Sequence, residues 1–145
     1  MTWVWKHFSE LSVDELYALL QLRAVVFVVE QDCAYLDLDG VDPLCDHLLG
    51  YDEEGLCASV RVVPPGLSHP EVSIGRVVTA PRVRGTGLGR PLMEEALRHV
   101  AAKWPGPIAI GAQAHLRRYY ESFGFVVCDP EYDEDGIPHL PMRRG

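Results

Sequence analysis

The chain has 145 residues, with 13 Lys or Arg against 21 Asp or Glu, so its formal net charge at pH 7 is −8. A chain of this length fits one domain, since it can bury roughly two thirds of its unfolded surface without disulfides or metals. The negative balance argues against a nucleic-acid partner and permits a cationic substrate. No segment approaches the ~20 apolar residues of a membrane span, and the N-terminus lacks the apolar run of a signal peptide, so we predict no membrane association.

In chain order, the first elements predicted are an edge strand over residues 3–8 and a helix running from Ser12 to about residue 29. The helix start rests on the capping box that Ser12 forms with Glu15. Strands over residues 47–51 and 56–63 follow an irregular acidic stretch. The short turn between them, which ends at Gly55, predicts a hairpin.

The second half alternates strands with helices. It contains a strand over residues 72–79, a helix with an apolar stripe, a strand over 108–112, a short helix and two short strands. Pro91 is tolerated only in the first turn of its helix, which should therefore begin no earlier than about Gly87. Together these elements predict an α/β fold (α+β mixed), with a mixed central sheet flanked by helices.

The four cysteines (Cys33, Cys45, Cys57 and Cys128) include no C-x-x-C pair. Their sequence contexts predict partly buried free thiols in a reducing compartment, and we therefore expect a cytoplasmic protein.

Acidic residues concentrate between Asp32 and Glu54, where we expect a solvated surface. Asp37, Asp39 and Gly40 match three positions of a calcium loop, but the register fails elsewhere. Neither His47 nor His139 has a nearby partner at zinc-ligand spacing, so we predict no metal site.

The most informative segment is the glycine-rich stretch from Arg82 to Arg90, which connects a strand to a helix. Glycines allow positive φ and close approach of a ligand to the backbone. The first turn of the following helix offers unpaired N–H groups and the positive end of the helix dipole. This combination predicts a diphosphate-binding loop.

Two common phosphate loops fail on this segment. A P-loop requires Lys and a hydroxyl residue after its last glycine, whereas Gly89 is followed by Arg90 and Pro91. The dinucleotide fingerprint begins well at Gly85 and Gly87 but meets Arg90 where it needs a third glycine, and no acidic ribose partner follows.

The stretch from Arg84 to Gly89 resembles the coenzyme A pyrophosphate loop of the GNAT N-acetyltransferases. Residues 113–125 look like the second GNAT signature, a strand followed by a short helix with Tyr-Glu and then Gly-Phe. Further likeness over residues 27–42, 74–78 and 135–139 points to the ElaA subgroup. The resemblance covers nearly the whole chain and implies a single GNAT-like domain over residues 1–145.

The resemblance implies acetyl-CoA as co-substrate and a primary amine, of a small molecule or a peptide, as acceptor. Attack on the thioester would be assisted by backbone N–H groups of the β-strand edge that also binds the pantetheine arm. The diphosphate would bind the glycine loop, and the amide of Gln113 would contact coenzyme A, although many family members carry Asn there. The cofactor-binding residues implied are Val77, Val78, Thr79, Arg84, Gly85, Thr86, Gly87, Leu88, Gly89, Arg90 and Gln113.

Tyr120 is the candidate general acid, because the matching tyrosine of the family lies near the thioester sulfur. A tyrosine pKa near 10 and a thiol pKa near 8.5 make full proton transfer uphill by roughly 1.5 units. Tyr119 points about 100° away on the same helix and is the weaker candidate. The candidates for accepting the proton of the amine are Glu30, His47, Glu71 and His139, and of these we favour Glu30.

A non-catalytic acyl-CoA-binding or sensing module is the main alternative function. It would keep the diphosphate loop and lack turnover. The sequence leaves open the acceptor amine, the acyl group and whether two chains form a homodimer.

Overall fold

An eight-stranded mixed sheet organises the chain in the computed structural model, which describes residues 1–145. Its strands run in the order β1-β2-β3-β4-β5-β8-β6, with β7 paired to β8. The strands are β1 Thr2–His7, β2 Asp46–Asp52, β3 Gly55–Val63, β4 Val72–Thr79, β5 Ile108–Gln113, β6 Val126–Val127, β7 Tyr132–Glu134 and β8 Ile137–Arg144. The α-helices are α1 Val13–Arg23, α2 Gly89–Lys103 and α3 Arg117–Glu121. The predicted fold class, edge strand and β2–β3 hairpin are confirmed.

Helix α1 begins at the predicted capping box. Ser12 Oγ accepts the N–H of Glu15 at 3.1 Å, and the Glu15 carboxylate accepts the N–H of Ser12 at 2.8 Å. The helix then continues as a π-helix over Ala24–Glu30. The helical segment therefore ends within one residue of the predicted end, but its last two turns are wider than those of an α-helix.

The central strands are covered on both faces. Helices α1 and α2 both pack on β3 and β4, and every β3 residue from Cys57 to Val63 is buried. The apolar stripe of α2 enters the core as predicted, through Leu92, Met93, Ala96 and Val100. None of the helices is long and apolar enough to cross a membrane.

The sheet opens between β4 and β5. These parallel strands pair only at Val72 with Ile108 and at Ser73 with Ala109, and they separate beyond that point. The register between β3 and β4 also shifts between the Ser59 and Arg61 pairs. The shift coincides with Arg76, whose φ of +48° lies in the left-handed region. A bulge of this kind bends a strand and increases its twist, which separates β4 from its neighbour.

The acidic stretch is not simply a solvated surface, because Asp37, Asp42 and Asp46 are buried. Arg23, only 1% exposed, donates to Asp37 at 2.9 Å and to Asp42 at 2.7 Å. Arg61 donates to Asp42 at 3.2 Å. For these three aspartates the expectation was wrong. The buried arginines of α1 and β3 compensate Asp37 and Asp42, while His99 and Lys103 of α2 lie 2.9 Å and 2.6 Å from the Asp46 carboxylate.

Three of the cysteines are more buried than expected and the fourth is exposed. All four are free thiols, with Cys33, Cys45 and Cys57 buried and Cys128 at the surface. The prediction of free thiols is confirmed, but partial burial does not describe Cys128.

Candidate active site

The wedge between β4 and β5 forms a cavity of about 770 Å³. Its walls come from the π-helix at the end of α1, strands β4 and β5, the turn before α3 with Tyr120 of that helix, and the β7–β8 hairpin. It brings together eight of the residues predicted from the sequence, namely Glu30, Val77, Val78, Thr79, Arg84, Gln113, Tyr120 and His139. The other predicted cofactor-binding residues, 85–90, are not part of its lining and form the turn that follows Arg84.

One wall of the cavity is the free edge of β4. Residues 74–79 have no partner on β5, so their backbone groups on that side are available to a ligand. Val78 is buried and Val77 partly buried, and the main chain rather than the side chains therefore offers the polar groups here. Such an edge can accept an extended chain as if it were an added strand.

The glycine loop has the backbone shape that its sequence predicts. Gly85 and Gly87 have φ values of +79° and +80°, and a Cβ built at either would meet no atom within 4 Å. Helix α2 begins at Gly89, as the position of Pro91 predicts, and no side chain caps it. The first-turn N–H groups are therefore free to bind an anion.

Arg84 connects this loop to the cavity. Its guanidinium donates to both oxygens of Glu30, at 2.5 Å and 2.6 Å, and to the Thr79 carbonyl at 3.5 Å. The hydrogen bond from Arg84 lowers the pKa of Glu30. Because a carboxylate held in this way is a weaker base, Glu30 could accept a proton from an amine only after Arg84 has moved.

The other two arginines of the loop turn away from the cavity. Arg82 donates to the Asp52 carboxylate at 2.5 Å and 2.9 Å, and Asp52 is the last residue of β2, where the β2–β3 turn begins. Arg90 donates to Ser122 at 3.1 Å and lies 4.7 Å from the centre of the Phe123 ring. Arg90 still lies in the first turn of α2, where it adds positive charge to the helix N-terminus.

Tyr120 is buried, at 7% exposure, and it lines the cavity. Its hydroxyl has no hydrogen-bond partner in the protein but remains accessible, so it is free to bind a ligand. The neighbouring Tyr119 instead donates its hydroxyl to the Gly89 carbonyl at 2.7 Å. Burial raises the pKa of Tyr120, which makes it a weaker acid than tyrosine in water and keeps it protonated as a donor.

Of the remaining proton-acceptor candidates, His139 lines the cavity and the other two do not. Neither His47 nor Glu71 lines the cavity, and His47 is buried with Nε2 at 3.1 Å from the Asp42 carbonyl. His139 does line it and is also buried. Gln113 lies beside it in the sheet register and donates to Gln31 at 3.3 Å.

The chain also matches a known protein family. The family model described as Acetyltransferase (GNAT) domain matches residues 47–144. The chain belongs to the GNAT acetyltransferase family. The matched region contains strands β4 and β5, the glycine loop and Tyr120, whereas the π-helix with Glu30 precedes it.

Close relatives agree with this GNAT assignment over their full length. Protein ElaA of Escherichia coli K12 is 47% identical over 145 residues, covering 98% of this chain and 95% of the relative. The crystal structure of an acyl-CoA N-acyltransferase from Pseudomonas aeruginosa has a TM-score of 0.94 at 44% identity, with both chains covered completely. Escherichia coli ElaA has a TM-score of 0.93 at 45% identity, covering 99% of each chain. Likeness to the ElaA subgroup is thus confirmed.

A more distant GNAT structure shares the fold. Aminoglycoside 6'-N-acetyltransferase, crystallised with coenzyme A, superposes with a TM-score of 0.73 over 97% of this chain and 96% of that chain, at 15% identity.

Sequence reasoning missed the polar wall of this GNAT cavity. Arg76 lies with Nε at 2.7 Å from Asp37 and donates to the Asp37 carbonyl at 3.1 Å, while Arg61 donates to Asp39 at 2.9 Å. Both arginines and Asp39 line the cavity. Asp37 and Asp39, the residues that resembled a calcium loop, thus bind arginines, and no group of three or more potential ligand side chains is arranged to hold a metal.

The β7–β8 hairpin contributes residues that were also missed. Tyr132 and Glu134 on β7 line the cavity, and Tyr132 lies directly opposite His139 of β8. The signal was present in the sequence, because Asp135-Gly136 is a hairpin turn that would bring the residues on either side together. Asp135 and Gly136 both have positive φ, at +53° and +81°.

Proposed function

We propose that this GNAT protein is an acetyl-CoA-dependent N-acetyltransferase, in which a primary amine of a small molecule or peptide attacks the thioester directly. The observation that carries the proposal is the β4–β5 wedge, whose free strand edge leads to an uncapped helix N-terminus. The full-length likeness to an acyl-CoA N-acyltransferase supports an acyl-CoA ligand. The fold shared with a transferase that binds coenzyme A supports it more weakly.

Acetyl-CoA would bind along two surfaces. The pantetheine arm would pair with the free edge of β4 at Val77, Val78 and Thr79. The diphosphate would accept hydrogen bonds from N–H groups of the loop from Gly85 to Gly89, and Arg84 and Arg90 would add positive charge. Gln113, at the end of β5, would contact the pantetheine amides.

The chemistry follows from the same positions. A backbone N–H in the segment from Val77 to Thr79 would donate to the oxyanion that forms when the amine attacks, and removing one such donor typically costs ~10²-fold or more. Tyr120 would donate its hydroxyl hydrogen bond to the departing thiolate. Since burial raises the pKa of Tyr120, full proton transfer is harder than in water, and we assign it mainly hydrogen-bond stabilisation of the sulfur.

The incoming amine must lose a proton before it attacks. Our sequence prediction of Glu30 as acceptor of that proton stays a prediction, and it requires Arg84 to release Glu30, as a bound diphosphate would allow. A cytoplasmic location also stays a prediction, while the chemical identity of the amine and the association of two chains as a homodimer stay open.

Calorimetry with acetyl-CoA, followed by a thiol-release assay on a panel of amines, tests the proposal. The panel should include lysine, 1,4-diaminobutane and a tripeptide with a free α-amine. We expect micromolar binding and turnover of at least one amine. Binding without turnover would favour the non-catalytic binding module, and absence of binding would refute both functions.

A further inference from the structure

The backbone of the β7–β8 hairpin fixes the tautomer of the neutral His139 ring. Its Nδ1 lies 2.7 Å from the Ile137 carbonyl, and because a carbonyl only accepts, Nδ1 must carry the hydrogen. In the neutral ring, Nε2 is then the nitrogen with a free lone pair. The backbone of β8 thus leaves His139 ready to take up a proton at one defined atom.

A carboxylate and an aromatic ring lie next to the His139 imidazole. Nε2 lies 3.3 Å from the Glu134 carboxylate, whose side chain is 58% exposed and bears no other ion pair. On the ring face, Tyr132 packs with centroids 5.6 Å apart and planes inclined by 31°. The carboxylate would face the imidazolium that forms when Nε2 takes up a proton in the reaction, and the aromatic contact keeps the ring in place.

His139 lies on the cavity wall formed by β5 and the β7–β8 hairpin. It pairs in register with Gln113 at the end of β5, and it lines the same cavity as Tyr120. The hairpin near it carries acidic side chains (Glu131, Asp133, Glu134 and Asp135), which would attract a cationic amine. Gly111 allows the Tyr132 side chain to lie against β5, since a Cβ at that position would lie 2.4 Å from the Tyr132 hydroxyl.

From this geometry we propose that His139 Nε2 accepts the proton of the incoming ammonium group, with Glu134 as its positioning residue. The inference rests on the proposed acetyl transfer and names the proton acceptor of that same site. One N–H bond of the ammonium breaks and its proton goes to Nε2, which passes it to solvent beside the exposed Glu134. The freed lone pair forms the C–N bond as the C–S bond breaks, and the second proton lost from the nitrogen ends on the thiolate.

The other titratable groups of the cavity are engaged differently. Glu30 is bound on both oxygens by Arg84, and Asp39 is bound by Arg61 and Arg76. Cys33 donates to the Asp135 carbonyl at 3.4 Å, and Tyr35 donates to Asp37. His69 and His115 also line the cavity, but neither ring has a hydrogen bond that fixes its tautomer. His139 is therefore the imidazole that the fold orients.

The test compares His139→Asn, Glu134→Gln and Glu30→Gln in the thiol-release assay from pH 5.5 to 10. Asparagine can still donate to the Ile137 carbonyl but has no basic nitrogen. We expect His139→Asn to lower kcat/KM at pH 7 by about 10²-fold or more. The acidic limb of the pH profile should move up to the pKa of the amine, so that the rate rises about tenfold with each pH unit as free amine accumulates. The affinity for acetyl-CoA should stay unchanged.

Glu134→Gln provides a second measurement that does not depend on folding, since Glu134 is exposed. Loss of its charge should lower kcat several-fold and leave the Kd of acetyl-CoA unchanged, because the carboxylate no longer positions the ring or faces the imidazolium that forms as the amine loses its proton. The matched control is Glu131→Gln, which removes an equal charge just before β7 and outside the cavity and should leave kcat unchanged.

Three results bear on the inference in distinct ways. If His139→Asn keeps the acidic limb of the wild type and Glu30→Gln moves it up to the pKa of the amine, Glu30 is the base and the inference is wrong. If Glu134→Gln and Glu131→Gln lower kcat equally, Glu134 has no specific role and that part is overturned. If the wild-type protein does not bind acetyl-CoA at all, the proposed function fails first.

Discussion

Gly87→Ala separates the cost of an unusual backbone from the cost of a lost ligand contact. Gly87 has a φ of +80° with empty space around its Cβ position, so the methyl group meets no protein atom. Its folding penalty is the left-handed conformation itself, about 1–2 kcal/mol. For a domain of this size that lowers Tm by roughly 3–6 °C.

Gly66→Ala is a matched control. Gly66 has a φ of +87° and also nothing within 4 Å of its Cβ position, but it lies in the β3–β4 loop and does not line the cavity. Both variants should therefore lose a similar amount of stability in thermal unfolding. Only Gly87→Ala should weaken acetyl-CoA binding, because its methyl group would occupy the space through which the diphosphate reaches the backbone.

The size of the binding loss follows from the contact that is disturbed. A hydrogen bond to a charged group contributes about 1.5–3 kcal/mol, which corresponds to a 10- to 100-fold higher Kd in calorimetry. S-acetylpantetheine, which lacks the diphosphate, should bind wild-type and Gly87→Ala protein equally. If Gly87→Ala bound acetyl-CoA as tightly as Gly66→Ala does, the backbone amides of this loop would not hold the diphosphate.

Other predictions concern the chemistry and the buried charges. Tyr120→Phe should lower kcat about 10²-fold with an unchanged Kd for acetyl-CoA, and equal kcat for wild type and this variant would remove Tyr120 from the mechanism. Tyr119→Phe, which loses the hydrogen bond to Gly89, should instead cost about 1 kcal/mol of stability. Glu30→Gln should tighten acetyl-CoA binding several-fold by releasing Arg84, and a weaker complex in calorimetry would contradict this. Although burial alone would raise it, the hydrogen bond from Arg23 lowers the pKa of Asp42, so its stabilisation is present above about pH 4 and is lost as pH falls through the folded-state pKa. Asp42→Asn should cost about 3 kcal/mol at pH 7 and flatten the loss of stability below pH 4, as urea unfolding at each pH would measure.

The elements that the sequence predicted well are those written in local patterns. The capping box at Ser12, the position of Pro91 and the glycines of the loop each act over a few residues, and the structure agrees with them. The assignment of the family also rested on short, nearly continuous segments. Local chemistry of this kind survives folding because the neighbouring residues that define it are already present in the chain.

The pairings within the site depended on contacts that no local pattern contains. Arg84 and Glu30 are 54 positions apart, so the loop arginine predicted for the diphosphate and the glutamate predicted as a free base were not recognised as partners. The bulge at Arg76 was likewise invisible, since its left-handed φ is unfavourable for an isolated arginine. Periodicity placed β4 correctly but could not reveal which of its residues leaves the ladder.

The same long-range contacts explain why the wedge is open before a ligand arrives. Arg76 at the bulge, Arg23 of α1 and Arg61 of β3 all bind the loop that contains Asp37, Asp39 and Asp42. Three arginines and three aspartates thus join a helix, a strand, a loop and the bulge in one charge-balanced framework. Because removing one partner leaves an uncompensated buried charge, the framework resists the rearrangement that would let β4 close on β5. Acetyl-CoA would therefore enter a preformed gap, and little of its binding free energy would be spent on separating the strands.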